Sequence, residues 1–344
     1  MPPLTQLTPP RFTMSSLMHT LVADFANQLK ESLKLGDQVK LSPLERPVQN
    51  IVVLGLGGSA FGGELVIGSQ REHLKLPFNI FRGYQPAANL TEHTLVIASS
   101  YSGNTEETLE SAQVALERGA QMIVITSGGK LAELAEKHNC PCLQLPSGYP
   151  PRAACGFSFV QQLVVLHQFG FIPDFREELE EAIELIEHFD EKEEAEALAK
   201  QLHKRMPIIY SSDAMEAIAI RFRQQINENG KQLCWHHVLP EMNHNELVGW
   251  AHPEELLKQT TVVNLRSAYD HPRVAYRFEI TKQVVEKYTT HVVDVLARGE
   301  SRLAQLLYLL HFVDWVSIYL ADANGIDPTP VKVIDFLKGE LAKR

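Results

Sequence analysis

A short apolar run, a glycine- or serine-rich turn and a helical segment follow one another repeatedly in this chain. The first copy begins with the apolar run 51–54, turns at 55–58 and continues as a helical segment over 61–67. The later copies in this half are strands over 94–99 and 122–125, followed by helices over 105–118 and 131–138. Continuous apolar runs are typical of strands buried on both faces, and strands that alternate with helices form βαβ units. The repeat therefore predicts a three-layer α/β domain with a mainly parallel sheet.

The same alternation begins again in the second half, after an acidic stretch of helical periodicity over 177–204. The candidate strands there are 207–210, 261–265 and 292–296, and the candidate helices are 214–227, 274–287 and 302–321. A chain of 344 residues is long for one hydrophobic core, which favours two domains. We predict an N-terminal helix and tail at 1–45, a first subdomain at 46–175, a helical bridge at 176–205 and a second subdomain at 206–344. Helical spacing of apolar residues over 15–41 predicts the leading helix.

The composition and charge of the chain argue against two classes of binding partner, nucleic acids and membranes. An apolar fraction of 44% and a charged fraction of 22% are ordinary for a soluble globular protein. The formal charge of -10 and the lack of a Lys/Arg cluster argue against a nucleic-acid partner. The most apolar stretch, 306–321, is too short for a bilayer and contains His311 and Asp314. We therefore predict a buried core helix there and no membrane partner.

The sequence offers no export signal and no metal-binding motif. The first twelve residues carry two Pro-Pro pairs and no apolar segment of the kind that export requires. The four cysteines are too few and too poorly spaced for a zinc site; they are Cys140, Cys142, Cys155 and Cys234. We expect reduced, mostly buried thiols in a cytoplasmic protein.

Two strand-to-helix junctions are suited to binding an anion. The first contains Gly58 and Ser59, and the second contains Ser100, Ser102 and Thr105. Free N–H groups and the positive end of a helix dipole point at a ligand in such a place, and adjacent parallel strands open into one crevice. Helix capping explains one hydroxyl but not three beside a glycine-rich turn. The residues therefore favour a phosphate site that needs no Lys or Arg.

The first junction also fits the G-x-G-x-x-A pattern of dinucleotide-binding proteins, through Gly55, Gly57 and Ala60. That pattern requires an acidic residue after the second strand to hold the ribose. The expected second strand, 78–81, is followed by Arg82 instead. We therefore do not favour a nicotinamide cofactor.

Both junctions, together with the segment 125–129, resemble the loops of the sugar isomerase (SIS) domain family. Further segments resemble the bifunctional phosphoglucose/phosphomannose isomerases in particular; they are Pro151-Arg152-Ala153-Ala154, Asn227-Glu228-Asn229, the segment 240–246, Gly249-Trp250 and the segment 334–338. These motifs occur in the family's order from about residue 51 to the C-terminus.

This resemblance implies two SIS-type subdomains and a homodimer. It also implies reversible aldose-ketose isomerisation of glucose 6-phosphate, and of mannose 6-phosphate, to fructose 6-phosphate, without a metal or an organic cofactor. The phosphate-binding residues that it implies are those of the two junctions, namely Gly58, Ser59, Ser100, Ser102 and Thr105.

The same resemblance assigns the chemistry to Glu228, Arg152, His244 and Lys338. Glu228 would carry a proton between C2 and C1 through an enediol intermediate. Arg152 would stabilise the negative charge on the enediolate oxygens. His244 would open the sugar ring, with Lys338 as its helper at the ring oxygen.

These residues also have structural interpretations. Glu228 can be a solvated acid that pairs with Lys231, because it lies near the end of a helix. His244 can be a hydrogen-bonded core histidine, and Lys338 a solvated lysine on a terminal helix. Arg152 can be a surface arginine beside a turn.

Other functions remain compatible with the residues. If the family pattern misleads at His244, the neighbouring His236 or His237 is the next candidate. Thr329, shortly before the terminal segment, is a candidate for shaping the pocket. The chain can also be an SIS-fold isomerase of another phosphosugar, or a non-catalytic sugar-phosphate sensor that keeps the serine loops but has no need of Glu228.

Overall fold

Two parallel sheets organise the chain in the computed structural model, which describes residues 17–343. The first sheet contains β1 (Asn50–Leu54), β2 (Phe78–Phe81), β3 (Thr94–Ser99), β4 (Gln121–Thr126) and β5 (Cys142–Gln144), in the order β2-β1-β3-β4-β5. The helices in this half are α1 (Leu17–Ala23), α2 (Phe25–Gln38), α3 (Gly57–Gln70), α4 (Glu106–Glu117), α5 (Gly129–Lys137) and α6 (Cys155–Gln168). The chain reverses direction across the sheet between β1 and β3, which is where open parallel sheets bind ligands.

Both faces of this first sheet are covered by helices. Alternate strand residues such as Ile51 and Val53 pack with helices α3 and α6 in the main core. Their neighbours Val52 and Leu54 face the other way and pack with α4 and α5. This alternation follows from the two-residue period of a strand and makes the three layers.

The second sheet contains β6 (Met206–Ser212), β7 (Trp235–Leu239), β8 (Thr260–Arg266) and β9 (Val292–Leu296), in the order β7-β6-β8-β9. Its helices are α9 (Glu216–Glu228), α10 (Glu246–Gly249), α11 (Glu254–Leu257), α12 (Pro272–Val285), α13 (Arg302–Asn324) and α14 (Lys332–Leu341). Two helices link the sheets, α7 (Arg176–Glu187) and α8 (Lys192–Leu202). The predicted fold class, two parallel sheets flanked by helices, is confirmed.

Helix α13 is the centre of the molecule. It packs against α3, α7, α8 and α9, so the two subdomains share one apolar core. Among residues 17–343 it alone is long and apolar enough to cross a membrane, but 94% of its apolar window is buried inside the protein. The prediction of a buried core helix is therefore confirmed.

Several local predictions differ from the structure. The expected leading helix is two helices, because Asp24 leaves helical geometry and its carboxylate accepts a hydrogen bond from the Asn27 side chain; residues 15 and 16 lie outside the described residues. Strands β5 and β7 were not predicted, and both are edge strands. The thiols are not mostly buried, since only Cys155 is fully buried and Cys142 is exposed on β5.

His311 gives the fold a dependence on pH. Its Nε2 accepts a hydrogen bond from Trp315 Nε1 at 3.1 Å, its ring contacts Phe25 and Phe189, and Lys192 lies close enough to repel a positive charge. Burial first, and Lys192 second, lower the pKa of His311 to about 3. The unfolded chain therefore binds the proton more readily than the folded one between pH 6.5 and about 3.

We expect the free energy of unfolding to fall as the pH drops below about 6.5, with a contribution from His311 of about 1.4 kcal/mol per pH unit. The variant His311→Gln should reduce this slope in urea unfolding measured from pH 7 to pH 4. An unchanged slope in the His311 variant would contradict the assignment.

Candidate active site

The two serine-containing junctions meet at the carboxyl ends of β1 and β3. Loop 1 denotes residues 55–60 and loop 2 residues 99–105. Because β1 and β3 are neighbours in the sheet, their ends lie side by side. The Ser59 hydroxyl accepts a hydrogen bond from the backbone N–H of Tyr101 at 3.1 Å, so loop 1 is joined directly to loop 2.

Loop 2 gathers its hydroxyl groups at the start of helix α4. Ser100 Oγ lies 2.9 Å from Thr105 Oγ1, and Ser100 is buried. Ser102 is exposed, and its hydroxyl accepts from the backbone N–H of Asn104 at 3.3 Å. A helix N-terminus surrounded by hydroxyl donors is a favourable environment for an anion.

The shape of loop 2 depends on Gly103. This residue has a φ of +67°, and a Cβ there would overlap the carbonyl oxygen of Gly128. Its amide donates to Ser100 O at 3.1 Å, and its carbonyl accepts from Leu131 N at 2.9 Å. A side chain at this position would therefore push loop 2 away from the segment that supports it.

We expect Gly103→Ala to reduce the free energy of unfolding by about 3 kcal/mol or more, from backbone strain plus overlap. We also expect it to weaken phosphosugar binding by about tenfold or more, the loss expected when charge-assisted hydrogen bonds are disturbed. Gly119 is the matched control, because its φ is +76° but a Cβ there meets only Glu92 Cβ at 3.6 Å. Gly119→Ala should cost about 1 kcal/mol of stability and leave binding intact; equal binding losses in both variants, measured by titration calorimetry, would contradict this role.

Arg152 lies beside loop 1. It belongs to a short 3-10 turn, Pro151–Ala153, and a Cβ on Gly58 would lie only 2.8 Å from the carbonyl oxygen of Pro151. Glycine at 58 therefore lets the loop pack against this turn. Arg152 is buried, and its Nε lies 3.8 Å from Glu228 Oε2.

The structure thus brings Arg152 and Glu228 together. Burial lowers the pKa of the Arg152 guanidinium, and the Glu228 carboxylate opposes that shift. Glu228 is the last residue of α9 and is half-buried. A carboxylate beside a fixed guanidinium can remove a proton from a carbon acid while the cation stabilises the resulting anion.

Lys231 contributes a second cation that the sequence did not assign to the site. Its Nζ donates to the main-chain carbonyl of Glu228, not to the carboxylate, and also to Pro328 O at 3.3 Å. It has a φ of 51°, a conformation that non-glycine residues rarely adopt and that occurs often at functional sites. Burial, and then the charge of Arg152, lower the pKa of Lys231. The spacing of Lys231 from Glu228 in the sequence suggested a surface ion pair between their side chains. Spacing does not reveal the positive φ of Lys231, so the sequence did not predict the contact that the structure shows.

A cavity of about 580 Å³ opens next to Glu228 and Lys231. The rest of its wall is formed by residues 227, 232, 233, 326, 330 and 331, and by the first turn of α14. This volume is in the range of small-molecule sites. The serines of loops 1 and 2 do not line it. Glu228 borders the cavity, and its neighbour Arg152 lies on the turn that packs against loop 1.

Glu228 lies at the amino-terminal edge of the second sheet. Helix α9 follows β6 and runs back along it. Four residues after Glu228, the Gln232 side chain donates to the carbonyls of Leu202, at the end of α8, and Arg205, immediately before β6. The end of α9 is thereby fixed at the edge where the strands begin.

His244 lies at the opposite edge. Strands β6 and β7 are parallel, with Ser212 opposite Leu239, and the turn Glu241–His244 follows where they end. The seven residues of β6 span about 20 Å. His244 is exposed, and within one chain it is separated from Glu228 by the length of the sheet.

Lys338 lies on helix α14 and is exposed. No residue of this helix is buried, and large apolar side chains face outward along it, including Val333 at 81% and Phe336 at 67% exposure. Its first turn borders the cavity, but Lys338 itself does not line it. The roles of His244 and Lys338 stay predictions.

The described residues, 17–343, hold no group of three or more His, Cys, Asp or Glu side chains arranged for a metal ion. The arrangement that they do form is a hydroxyl-rich helix N-terminus, a carboxylate and two cations. Such a set can hold a phosphorylated substrate and carry out proton transfer on its other end.

Comparison with known proteins identifies the family of the chain. The chain matches the SIS domain model over residues 46–171 and the model of the bacterial phospho-glucose isomerase C-terminal SIS domain over residues 191–341. It is 39% identical over 336 residues to a bifunctional phosphoglucose/phosphomannose isomerase of Caldicellulosiruptor bescii, which covers 95% of this chain and 99% of that protein.

Two further matches are informative. A D-glucosamine-6-phosphate 4-epimerase of Sulfolobus acidocaldarius is 37% identical over 207 residues, covering 60% of this chain and 65% of that protein. The C-terminal domain of glucosamine-fructose-6-phosphate aminotransferase from Francisella tularensis superposes with a TM-score of 0.74 at 13% identity, covering 92% and 99% of the two chains, which shows a shared fold alone. From the near full-length match to the Caldicellulosiruptor protein and the two domain matches, this chain belongs to the bifunctional phosphoglucose/phosphomannose isomerase family.

Proposed function

We propose that this protein interconverts glucose 6-phosphate, mannose 6-phosphate and fructose 6-phosphate through an enediol intermediate, with Glu228 as the base. The observation that carries the proposal is the 3.8 Å approach of Arg152 Nε to Glu228 Oε2, on a turn that packs against loop 1. A base and a stabilising cation are thereby adjacent, next to a site suited to phosphate.

The phosphate group anchors the substrate. Ser59, Ser100, Ser102 and Thr105 donate hydroxyl hydrogen bonds to it, and the N-terminus of α4 adds its dipole. Gly58 keeps loop 1 close to the Arg152 turn. Binding energy from this non-reacting end of the sugar holds C1 and C2 over the carboxylate.

Proton transfer occurs at the other end of the sugar. The Glu228 carboxylate takes the proton from C2 of the open-chain aldose, and the electrons move towards the C1 carbonyl oxygen to give an enediolate. Arg152 stabilises that oxygen anion. The proton of the C2 hydroxyl then moves to O1, the C2 oxygen becomes the carbonyl, and the proton on Glu228 is returned to C1, which gives the ketose. Rotation about the C2–C3 bond before the reverse transfer gives access to both C2 epimers.

Ring opening requires a second proton-transfer group, and we assign it to His244 of the other subunit in a homodimer. The reason is geometric, since about 20 Å of sheet separates His244 from Glu228 within one chain. In a two-fold dimer, every contact between different regions of the two subunits occurs twice. If His244 of one subunit reaches the Glu228 site of its partner, the reverse contact also forms, so the dimer has two equivalent sites.

Lys338 reaches the cavity when helix α14 closes across it, and its ammonium group then assists at the ring oxygen. Helix α14 starts at the cavity wall, and its apolar side chains Val333, Phe336 and Leu337 are exposed. Covering that face would remove apolar surface from water and so favours the closed arrangement.

A coupled assay tests the proposal. Purified protein is supplied with glucose 6-phosphate, mannose 6-phosphate or arabinose 5-phosphate, and ketose formation is followed. Turnover of both hexose phosphates is expected. Because one relative is a 4-epimerase, glucosamine 6-phosphate is included and its product checked for inversion at C4. Binding of phosphosugars without any turnover would reject an enzymatic role, and C4 inversion without ketose formation would favour the epimerase.

A further inference from the structure

The side chain of Arg152 is held by three partners from two parts of the chain. Its Nε donates to Asn229 Oδ1 at 2.8 Å, and its Nη2 donates to the carbonyls of Pro328 and Thr329 at 2.7 Å and 2.9 Å. Among the described residues no acceptor is found for Nη1. The protein thus fixes two of the three guanidinium nitrogens, and one remains for a ligand.

The amide of Asn229 is itself oriented. Its Nδ2 donates to Ser317 Oγ at 3.0 Å, and Ser317 Oγ donates to the carbonyl of Asp314 at 2.7 Å. Asn229 and Ser317 are both fully buried. Because the Nδ2 group needs the Ser317 oxygen, the Oδ1 atom is the one that faces Arg152.

The backbone of Arg152 is also held in place, by Arg221 on α9, which pairs with Asp314 on α13. Asp314 on α13 forms a two-point ion pair with Arg221, at 2.9 Å from Nε and 2.7 Å from Nη2. The Arg221 Nη2 group also donates to the main-chain carbonyl of Arg152 at 2.9 Å. A chain of contacts therefore leaves the Arg152 side chain, passes through α9 and α13, and returns to the Arg152 backbone.

The contacts extend to the phosphate loops. The Arg221 guanidinium lies 5.4 Å from the centre of the Phe61 ring, and Phe61 is two residues after Ser59 on α3. Arg221 and Asp314 are both buried. A buried ion pair is weak evidence for stability, since apolar residues of similar size often stabilise a core as well or better. The contact to the Arg152 carbonyl suggests a different reason for this pair.

We propose that Asn229, Ser317, Asp314 and Arg221 are positioning residues that set the place of Arg152 in the active site. We call these four residues the Arg152 support. This proposal rests on the proposed function, because it assigns the four residues a purpose only if Arg152 acts on the substrate. None of the four needs to touch the substrate.

Ser317→Ala is the sharpest test, because it removes the partner of Asn229 without altering any group in direct contact with Arg152. We expect kcat to fall by about tenfold or more, because loose positioning of a catalytic group lowers the rate of the chemical step more than it weakens substrate binding. The KM for glucose 6-phosphate should stay within about threefold, because the phosphate loops are untouched. Ser317→Thr keeps the hydroxyl and should recover the rate.

Ser69→Ala is the matched control. Ser69 is also buried in a helix, and its hydroxyl donates to the carbonyl of Leu65 at 2.7 Å, as Ser317 donates to that of Asp314. Among residues 17–343, no hydrogen bond joins Ser69 to the Arg152 support. Its variant should lose a similar amount of stability in urea unfolding but keep kcat. Equal losses of kcat in both serine variants would overturn the proposal.

A double-mutant cycle with Arg152→Ala separates the two levels of the argument. If Ser317 acts through Arg152, Ser317→Ala should cost no further activity once Arg152 is gone. If Arg152→Ala alone lowers kcat but the two effects multiply, the support is rejected and the proposed function stands. If Arg152→Ala leaves kcat unchanged, the assignment of Arg152 in the proposed function fails first, and the support fails with it.

Discussion

Glu228→Gln is expected to lower kcat for the conversion of glucose 6-phosphate to fructose 6-phosphate by about 10³-fold, within the range of a lost general base. Glutamine has nearly the same shape and keeps a carbonyl oxygen near Arg152, but it cannot accept the C2 proton. The KM should change by less than about threefold, because the phosphate is held elsewhere. Steady-state kinetics with the coupled ketose assay measures both quantities.

The control for this variant is at the other end of the same helix. Glu216 begins α9, whereas Glu228 ends it, and Glu216 borders neither the cavity nor the serine loops. Glu216→Gln should therefore retain the wild-type kcat. If Glu228→Gln also keeps more than about a tenth of the wild-type rate, another group must be the base.

His244→Asn is expected to lower kcat by about 10²-fold or more, because ring opening loses its acid-base group. The loss should be smaller for substrate that is already open-chain, since only the ring-opening step is affected. The exposed His188, remote in sequence from the turn that carries His244, supplies the control, and His188→Asn should keep the wild-type rate.

Mixing two inactive variants shows which subunit supplies His244. After Glu228→Gln and His244→Asn proteins are unfolded and refolded together, a mixed dimer has one site with both wild-type residues if His244 acts across the interface. Random pairing should then restore about a quarter of the wild-type activity. If both residues acted in one chain, no mixed dimer would contain an intact site, and the mixture would stay inactive.

The fold was largely predictable because its central strands are recognisable in the sequence. Buried parallel strands such as β3 and β4 are continuous apolar runs ended by turn residues, and these give a strong signal. The edge strands β5 and β7 give no such signal, although the edge strands β2 and β9 were predicted. β7 carries two histidines at its centre, and β5 is three residues long, so neither shows an apolar run or a clear alternation.

The candidate site was predictable only in part. The serine loops follow from local chemistry, because the hydroxyls and the helix start are adjacent in sequence. The contact of Arg152 with Glu228 joins residues far apart in the chain, so only the family resemblance pointed to both. The Arg152 support depends on how α9 and α13 pack, and the conformation of Lys231 depends on its backbone. Neither leaves a pattern in the sequence.

The most direct test of the account is to incubate the protein with fructose 6-phosphate in D₂O and follow the products by NMR. Glucose 6-phosphate and mannose 6-phosphate should both appear with deuterium at C2, at least in part, because the proton on Glu228 exchanges with solvent. The Glu228→Gln variant should form both aldoses about 10³-fold more slowly. Aldose products without deuterium would indicate direct hydride transfer between the carbons, and a product inverted at C4 with no aldose would contradict the isomerase reaction itself.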